Sequence, residues 1–180
     1  MMRVLHGAAL GLLLSSSCST IPVRATTAPI ELPMERLAGR WHVVATTFPM
    51  WRNRCDVSFT YGPLSVQTMS DRVGFTEGTE QHVLPGIDTQ HPVVPTHFTW
   101  RGEGLLSLFA SEWDVVAVGP QDAWVVLTFG ATLATPAGAD IIARSPRLDD
   151  ETLRQIVTAA STDEVTASRL KGLFAVAPCP

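Results

Sequence analysis

Leu37-Ala38-Gly39-Arg40-Trp41-His42-Val43-Val44-Ala45-Thr46-Thr47-Phe48-Pro49 decides the reading of this chain. It joins a Gly-x-Trp start to a run rich in β-forming residues, and it is bounded on both sides. Pro33-Met34-Glu35-Arg36-Leu37 has room for only a short turn of helix before Gly39, and Pro49 cannot donate to a sheet ladder. The run therefore reads as the first strand of a barrel. With a period of two, Trp41, Val43, Ala45 and Thr47 share one face, and His42, Val44 and Thr46 the other. A large ring at the start of a face that continues in small residues fits a plug below an open space. Far along the chain, Ile141-Ile142-Ala143-Arg144-Ser145-Pro146 places an arginine at the end of what reads as the last strand, and Arg144 is a candidate to stack on Trp41.

Between these two ends the chain divides into further strands. Cys55 to Tyr61 alternates well enough for a half-buried strand, ended by Gly62-Pro63. Leu64 to Met69, Thr79 to Leu84 and Thr96 to Arg101 follow, with Pro85-Gly86 and His91 to Pro95 marking the connection between the last two. Leu105 to Ala110 is apolar, and we assign it to a loop. Glu112 to Val118 and Ala123 to Phe129 form a β-branched and aromatic hairpin around Gly119-Pro120-Gln121-Asp122. Ile141 to Arg144 closes the set at eight strands, a number whose barrel is wide enough for one small ligand. After Pro146, Asp149-Asp150-Glu151 opens a helix with carboxylates at the positive end of its dipole. Leu153, Ile156, Val157 and Ala160 give that helix one apolar stripe, expected to pack outside the barrel. Lys171 to Val176 returns as a short closing strand or extended tail. The fold class expected is all-β: an eight-stranded antiparallel up-and-down barrel with one C-terminal α-helix.

These residues resemble the lipocalin family, in particular its bacterial outer-membrane lipoprotein branch and its apolipoprotein D-like members. The family's first motif, Gly-x-Trp, matches Gly39 and Trp41, and the arginine that closes its last strand matches Arg144. Its Thr-Asp-Tyr type turn has a partial counterpart around Asp122, without the threonine and the tyrosine. The resemblance runs from about Leu32 to the C-terminus. It implies a lipocalin barrel whose first loop folds over the open end, which makes Trp51 a lid candidate; packing on the barrel rim explains that residue equally well. It also implies a bridge between the start of the second strand and the C-terminal tail, where Cys55 and Cys179 stand.

One domain accounts for the 180 residues. Residues 1–18 have the form of a secretory signal: a positive start at Arg3, an apolar stretch from Val4 to Leu14, and Ser15-Ser16-Ser17 before Cys18. An ordinary cleaved signal and a lipoprotein signal ending at an acylated Cys18 both fit, with Leu14 one position too early for the usual lipobox. If Cys18 is acylated, Cys55 and Cys179 remain as a pair. Residues 19–32, rich in proline and small polar side chains, read as a flexible tether, and residues 33–180 as the barrel. Ser19 after the cysteine resembles an outer-membrane signal, so the chain is expected to be exported as an outer-membrane lipoprotein facing the periplasm or otherwise anchored in the cell envelope, its expected partners being a membrane through a lipid anchor and a small hydrophobic ligand.

The net charge of −4 and the lack of a basic cluster argue against a nucleic-acid partner. The five histidines fall at no metal-ligand spacing, although His82 and His97 stand on neighbouring strands, and neither a metal nor a cofactor is expected. No Gly-x-Ser-x-Gly elbow is present, and Glu77, Glu80 and Asp88 supply carboxylates without a defined pair. Charged residues are 17% of the chain against about 25% in ordinary proteins, and apolar residues 46%, which leaves a cavity of apolar and small side chains as the expected site. Candidate lining residues are Val43, Ala45, Trp51, Phe59, Phe98, Trp100, Trp113, Val115, Val126 and Thr128, with Trp41 at the closed end. The function expected is ligand binding or carriage, with a fatty acid or lysophospholipid as the ligand class. The alternatives are an enzyme on the same scaffold, acting on a lipid or epoxide-bearing substrate, and a structural envelope protein with a filled barrel.

Overall fold

The computed structural model describes residue 30, residues 33–133 and residues 135–180. The signal segment 1–18, its Cys18, and the tether apart from Ile30 lie outside the described residues. A short 3-10 turn at Met34–Arg36 leads into strand β1, Gly39–Thr46. Strands β2 (Arg54–Pro63), β3 (Thr68–Glu77), β4 (Glu80–Gln90), β5 (His97–Gly102), β6 (Ala110–Val118), β7 (Trp124–Phe129) and β8 (Gly138–Ala143) follow. Each pairs antiparallel with the next, β8 pairs with β1, and β1 pairs with β2, so eight strands close on themselves and leave no open edge. Beyond Thr46 the chain leaves the sheet, and the two-residue strand β9, Phe174–Ala175, pairs with Ala45 and Thr46.

Helix α1, Asp150–Ala160, starts where its sequence directs: the Asp149 carboxylate accepts from the backbone N–H of Thr152 at 2.8 Å. A second short helix, α2 (Glu164–Arg169), was not anticipated; Asp163 caps it in the same way, accepting from the N–H of Thr166 at 2.9 Å. Apolar side chains form two layers. One fills the lower barrel, with Trp41, Val43, Phe59, Met69, Phe98, Trp113 and Val115 among its members. The other lies outside, where Ile156 and Ala160 of α1 cover Val44, Ala45, Trp124, Val126, Ala139 and Ile141 of β1, β7 and β8.

The closed end is held by the side chains expected there. The guanidinium carbon of Arg144 lies 3.6 Å from the centroid of the Trp41 ring, and its Nη1 and Nη2 donate to the carbonyls of Arg40 and Arg36 at 3.1 and 3.0 Å. The Trp41 indole N–H donates to the Leu37 carbonyl at 2.6 Å. Gly39 has φ +94°, and a Cβ there would stand 3.3 Å from Nη1 of Arg144, so glycine satisfies both the left-handed backbone and the arginine's approach. Asp122 completes the cap: the Nε of Arg36 donates to both its oxygens at 3.1 Å.

Several expectations are corrected. The strands placed at 64–69 and 79–84 are longer and lie elsewhere, because Pro85-Gly86 is no turn. Pro85 pairs with Arg72 inside β4, and its carbonyl accepts from Glu103 on the β5 side. The N–H it lacks points to that same side, just beyond the last paired residue of β5, so no ladder bond is lost. Alternation also breaks in β1: Val43 pairs with Ile142 and Ala45 with Ile141, leaving Val44 as the extra residue of a bulge. Beyond it every side chain changes face, so Ala45 packs under α1 and Thr46 turns inward.

Candidate functional site

The first loop closes over the barrel as a 3-10 turn, Pro49–Trp51, that brings Met50 and Trp51 to the mouth. Trp51 is buried, with its ring 5.5 Å from that of Phe75 on β3. Leu106, Leu108 and Phe109 from the loop between β5 and β6, and Leu133 from that between β7 and β8, complete the mouth. Below lies a cavity of about 450 Å³, lined by Phe48, Phe59, Tyr61, Val73, Leu84, Trp100, Trp113 and Phe129. Most of the lining is apolar, as a small-molecule site requires, with a few polar groups in its walls.

Four of the ten candidate lining residues reach this space: Trp51, Phe59, Trp100 and Trp113. Val43, Phe98 and Val115 belong to the packed layer of the barrel core. Phe98 stacks on Trp113 with ring centroids 4.1 Å apart. Ala45, Val126 and Thr128 are corrected. On β7, Val125 and Leu127 belong to the inner layer and Phe129 to the cavity wall, so Trp124, Val126 and Thr128 face outward. Both faces of β7 are apolar because one meets the barrel core and the other the layer beneath α1, and alternation alone therefore carried no information about direction.

The polar part of the lining was not anticipated. Asp71 of β3, Asp88 of β4 and Asp140 of β8 are carboxylates with 5%, 0% and 1% of their surface exposed. Asp71 and Asp140 line the cavity directly. Oδ1 of Asp88 accepts from the Trp113 indole N–H at 2.8 Å, and Oδ1 of Asp140 from the Thr46 hydroxyl at 2.6 Å. Burial pushes Asp88 and Asp140 up to about 7, with these hydrogen bonds working in the opposite direction. Burial and the adjacent Asp88 push Asp71 well above the usual carboxylate range, and Arg72 offsets only part of this. Tyr61 beside them is raised by its own burial and by the three carboxylates.

Two further groups stand without partners. Oδ1 of Asp71 and the indole N–H of Trp100 are buried and make no hydrogen bond. They are neighbours by register: Asp71 pairs with Gly86, and a Cβ on Gly86 would fall 2.1 Å from Nε1 of Trp100, so the indole rests on bare backbone. Three inward aspartates have no period to reveal them. The one available signal was Asp71 following Met69 at a spacing of two, and it requires the strand boundary that the structure moved.

The remaining polar candidates lie elsewhere. His82 stacks on Phe75 at 5.1 Å, and His97 bonds to Asp114 at 2.9 Å, so these two do not approach each other as ligands. Among the described residues no group of three His, Cys, Asp or Glu side chains is placed to hold a metal. Cys55 and Cys179 are bonded, tying the start of β2 to the tail. At the rim, Arg52 lies 4.2 Å over Phe174, and Arg54 lies 4.2 Å over Phe75.

A closed eight-stranded barrel, an outer helix, a mouth framed by loops and a ring capped by an arginine define the lipocalin fold, and this chain has it. No protein-family model matches the sequence, and neither does any curated protein. Solved structures do. Lobster apocrustacyanin A1 aligns with a TM-score of 0.62 at 14% identity, over 81% of this chain and 79% of that one. Insecticyanin from the tobacco hornworm Manduca sexta gives 0.62 at 14%, over 89% and 85%. The siderocalin Ex-FABP, which functions through dual ligand specificities, gives 0.60 at 11%, over 81% and 95%. At such identities the likeness is one of fold.

Proposed function

We propose that this protein is an exported lipocalin that binds and carries one small, largely hydrophobic molecule inside its barrel. The observation that carries this reading is the aromatic cavity of about 450 Å³ below a mouth ringed by apolar loops. Burying alkyl or aryl surface there gains roughly 25 cal/mol per Å² before the entropy of association is subtracted. For a fatty acid or lysophospholipid the chain enters first and the head group stays at the rim beside Arg52 and Arg54, because among the described residues no lysine or arginine lines the cavity. A homologous series of fatty acids, followed by tryptophan fluorescence, tests this: affinity rises with chain length until the cavity is full. Affinity that is flat in chain length removes the acyl-lipid arm.

The bridge between Cys55 and Cys179 supports export, since disulfides persist in oxidising compartments. Acylation of Cys18 would add an envelope anchor. Replacing Cys18 with serine then moves the protein into the soluble fraction, and unchanged membrane association sinks the anchor.

One observation favours a catalytic reading: two carboxyls at the same wall, Asp71 and Asp88, each hold a proton more tightly than an ordinary carboxylate. Such a pair has the parts for acid-base work on an epoxide. Incubating the protein with a lipid epoxide and finding it unchanged by mass spectrometry removes that reading.

A further inference from the structure

The acidic wall of the cavity is unbalanced. Asp71, Asp88 and Asp140 come from three strands, and no lysine, arginine or histidine is among the residues that line the space with Asp71 and Asp140. The charged group beside Asp71, Arg72, points outward and pairs with Glu103. Asp88 and Asp140 each have a hydrogen bond, whereas Oδ1 of Asp71 has none although the residue is 95% buried by its 5% exposure. An unpartnered buried carboxyl costs stability and is retained here against a cavity wall. The same wall carries aromatic faces: Tyr61 stacks with Trp113 at 6.2 Å, and Phe59 adjoins Tyr61 at 6.1 Å. Carboxylates beside aromatic faces attract the same kind of group, a desolvated cation.

We propose that the inner end of the cavity seats a protonated amine, with Asp71 as its counter-ion and Tyr61, Trp100 and Trp113 around it, so that the ligand is a small aryl- or alkylamine rather than an anion. This rests on the reading of the barrel as a small-molecule site and names the chemistry of its ligand. An ammonium supplies the donor that Oδ1 of Asp71 lacks, and its alkyl or aryl body fills the apolar space toward Trp51 and Phe129. Burial and the neighbouring Asp88 hold the Asp71 carboxyl well above the usual carboxylate range, and an arriving cation acts in the opposite direction. A carboxylate placed at this depth stands beside acidic groups and finds neutral donors alone, the Tyr61 hydroxyl and the Trp100 indole, with no described lysine or arginine in the lining, which favours the head-out pose for acyl lipids.

Three probes of one shape decide the matter: phenethylamine, phenethyl alcohol and 3-phenylpropanoate, titrated calorimetrically into the full-length protein, with the neutral dye N-phenyl-1-naphthylamine as a control for the cavity. The amine should bind at least tenfold more tightly than the alcohol, and the carboxylate more weakly than either. Asp71→Asn should abolish the amine's advantage while leaving alcohol and dye binding in place. Equal affinities for amine and alcohol in the wild type overturn the inference, whether or not the variant folds. An amine preference that survives in a folded Asp71→Asn variant also overturns it. If the dye and all three probes fail to bind, the carrier reading falls and this inference with it; if the dye binds and the amine has no advantage, this inference alone falls.

Discussion

The indole N–H of Trp113 donates to one oxygen of Asp88 at 2.8 Å, while the other oxygen of that carboxyl is buried without a partner. This half-satisfied group, together with Asp140, gives the protein a stability that depends on pH. Both carboxyls titrate at about 7 when folded and near 3.8 otherwise, so the folded protein keeps protons that the unfolded chain gives up. Stability from these groups is complete below about pH 4, declines as the pH rises toward 7, and is flat above, each group contributing on the order of 4 kcal/mol. Asp88→Asn and Asp140→Asn keep an acceptor for Trp113 and Thr46 and remove the charge. Each variant should melt higher than the wild type at pH 8, with a shallower decline between pH 4 and 7. Thermal denaturation across that range checks it, and parallel profiles refute it.

Arg144 is exposed to solvent overall, while its guanidinium covers Trp41 and bonds two carbonyls. An exposed stack of this kind is worth about 1 kcal/mol and each charge-assisted bond about the same. Arg144→Ala should therefore cost about 3 kcal/mol in urea unfolding with the barrel's circular dichroism unchanged. A cost under about 0.5 kcal/mol, the level of ordinary surface changes, refutes the closing role.

The bond between Cys55 and Cys179 spans 124 residues, and the tail it holds makes two further contacts with β2. The Asp56 N–H donates to the Ala177 carbonyl at 3.2 Å, and the Cys179 N–H to the Asp56 carboxylate at 3.2 Å. Replacing both cysteines with serine should lower stability by about 4 kcal/mol, through the wider freedom of the unfolded chain. Native-state hydrogen exchange should speed up in residues 174–180 and little in β6 or β7.

Gly86 lies under the Trp100 indole, so Gly86→Ala pushes that ring into the cavity. The expected loss is about 1 to 3 kcal/mol of stability, the usual range for overpacking. A shifted tryptophan emission and at least tenfold weaker binding of the dye N-phenyl-1-naphthylamine should accompany it. Unchanged dye affinity shows that Trp100 does not shape the space.

Much of the fold was legible in the chain because a few residues have a single structural use. Gly39, Trp41 and Arg144 announced a capped barrel end, Asp149 with its apolar stripe announced α1, and the β6–β7 hairpin reads from its β-branched runs flanking Gly119-Pro120. Those signals are local, and they survive any arrangement of the rest. Direction is not local. Which face Ala45, Val126 and Thr128 present depends on one bulge at Val44 and on a helix that covers the outer side of β7 and β8, neither of which alternation encodes. The acidic wall was hidden for the same reason: Asp71, Asp88 and Asp140 are ordinary residues in sequence, and Pro85-Gly86 imitates a turn between two of them. Only strand register turns all three inward, and only closure of the barrel withdraws them from water, which converts three unremarkable aspartates into the chemistry of a site.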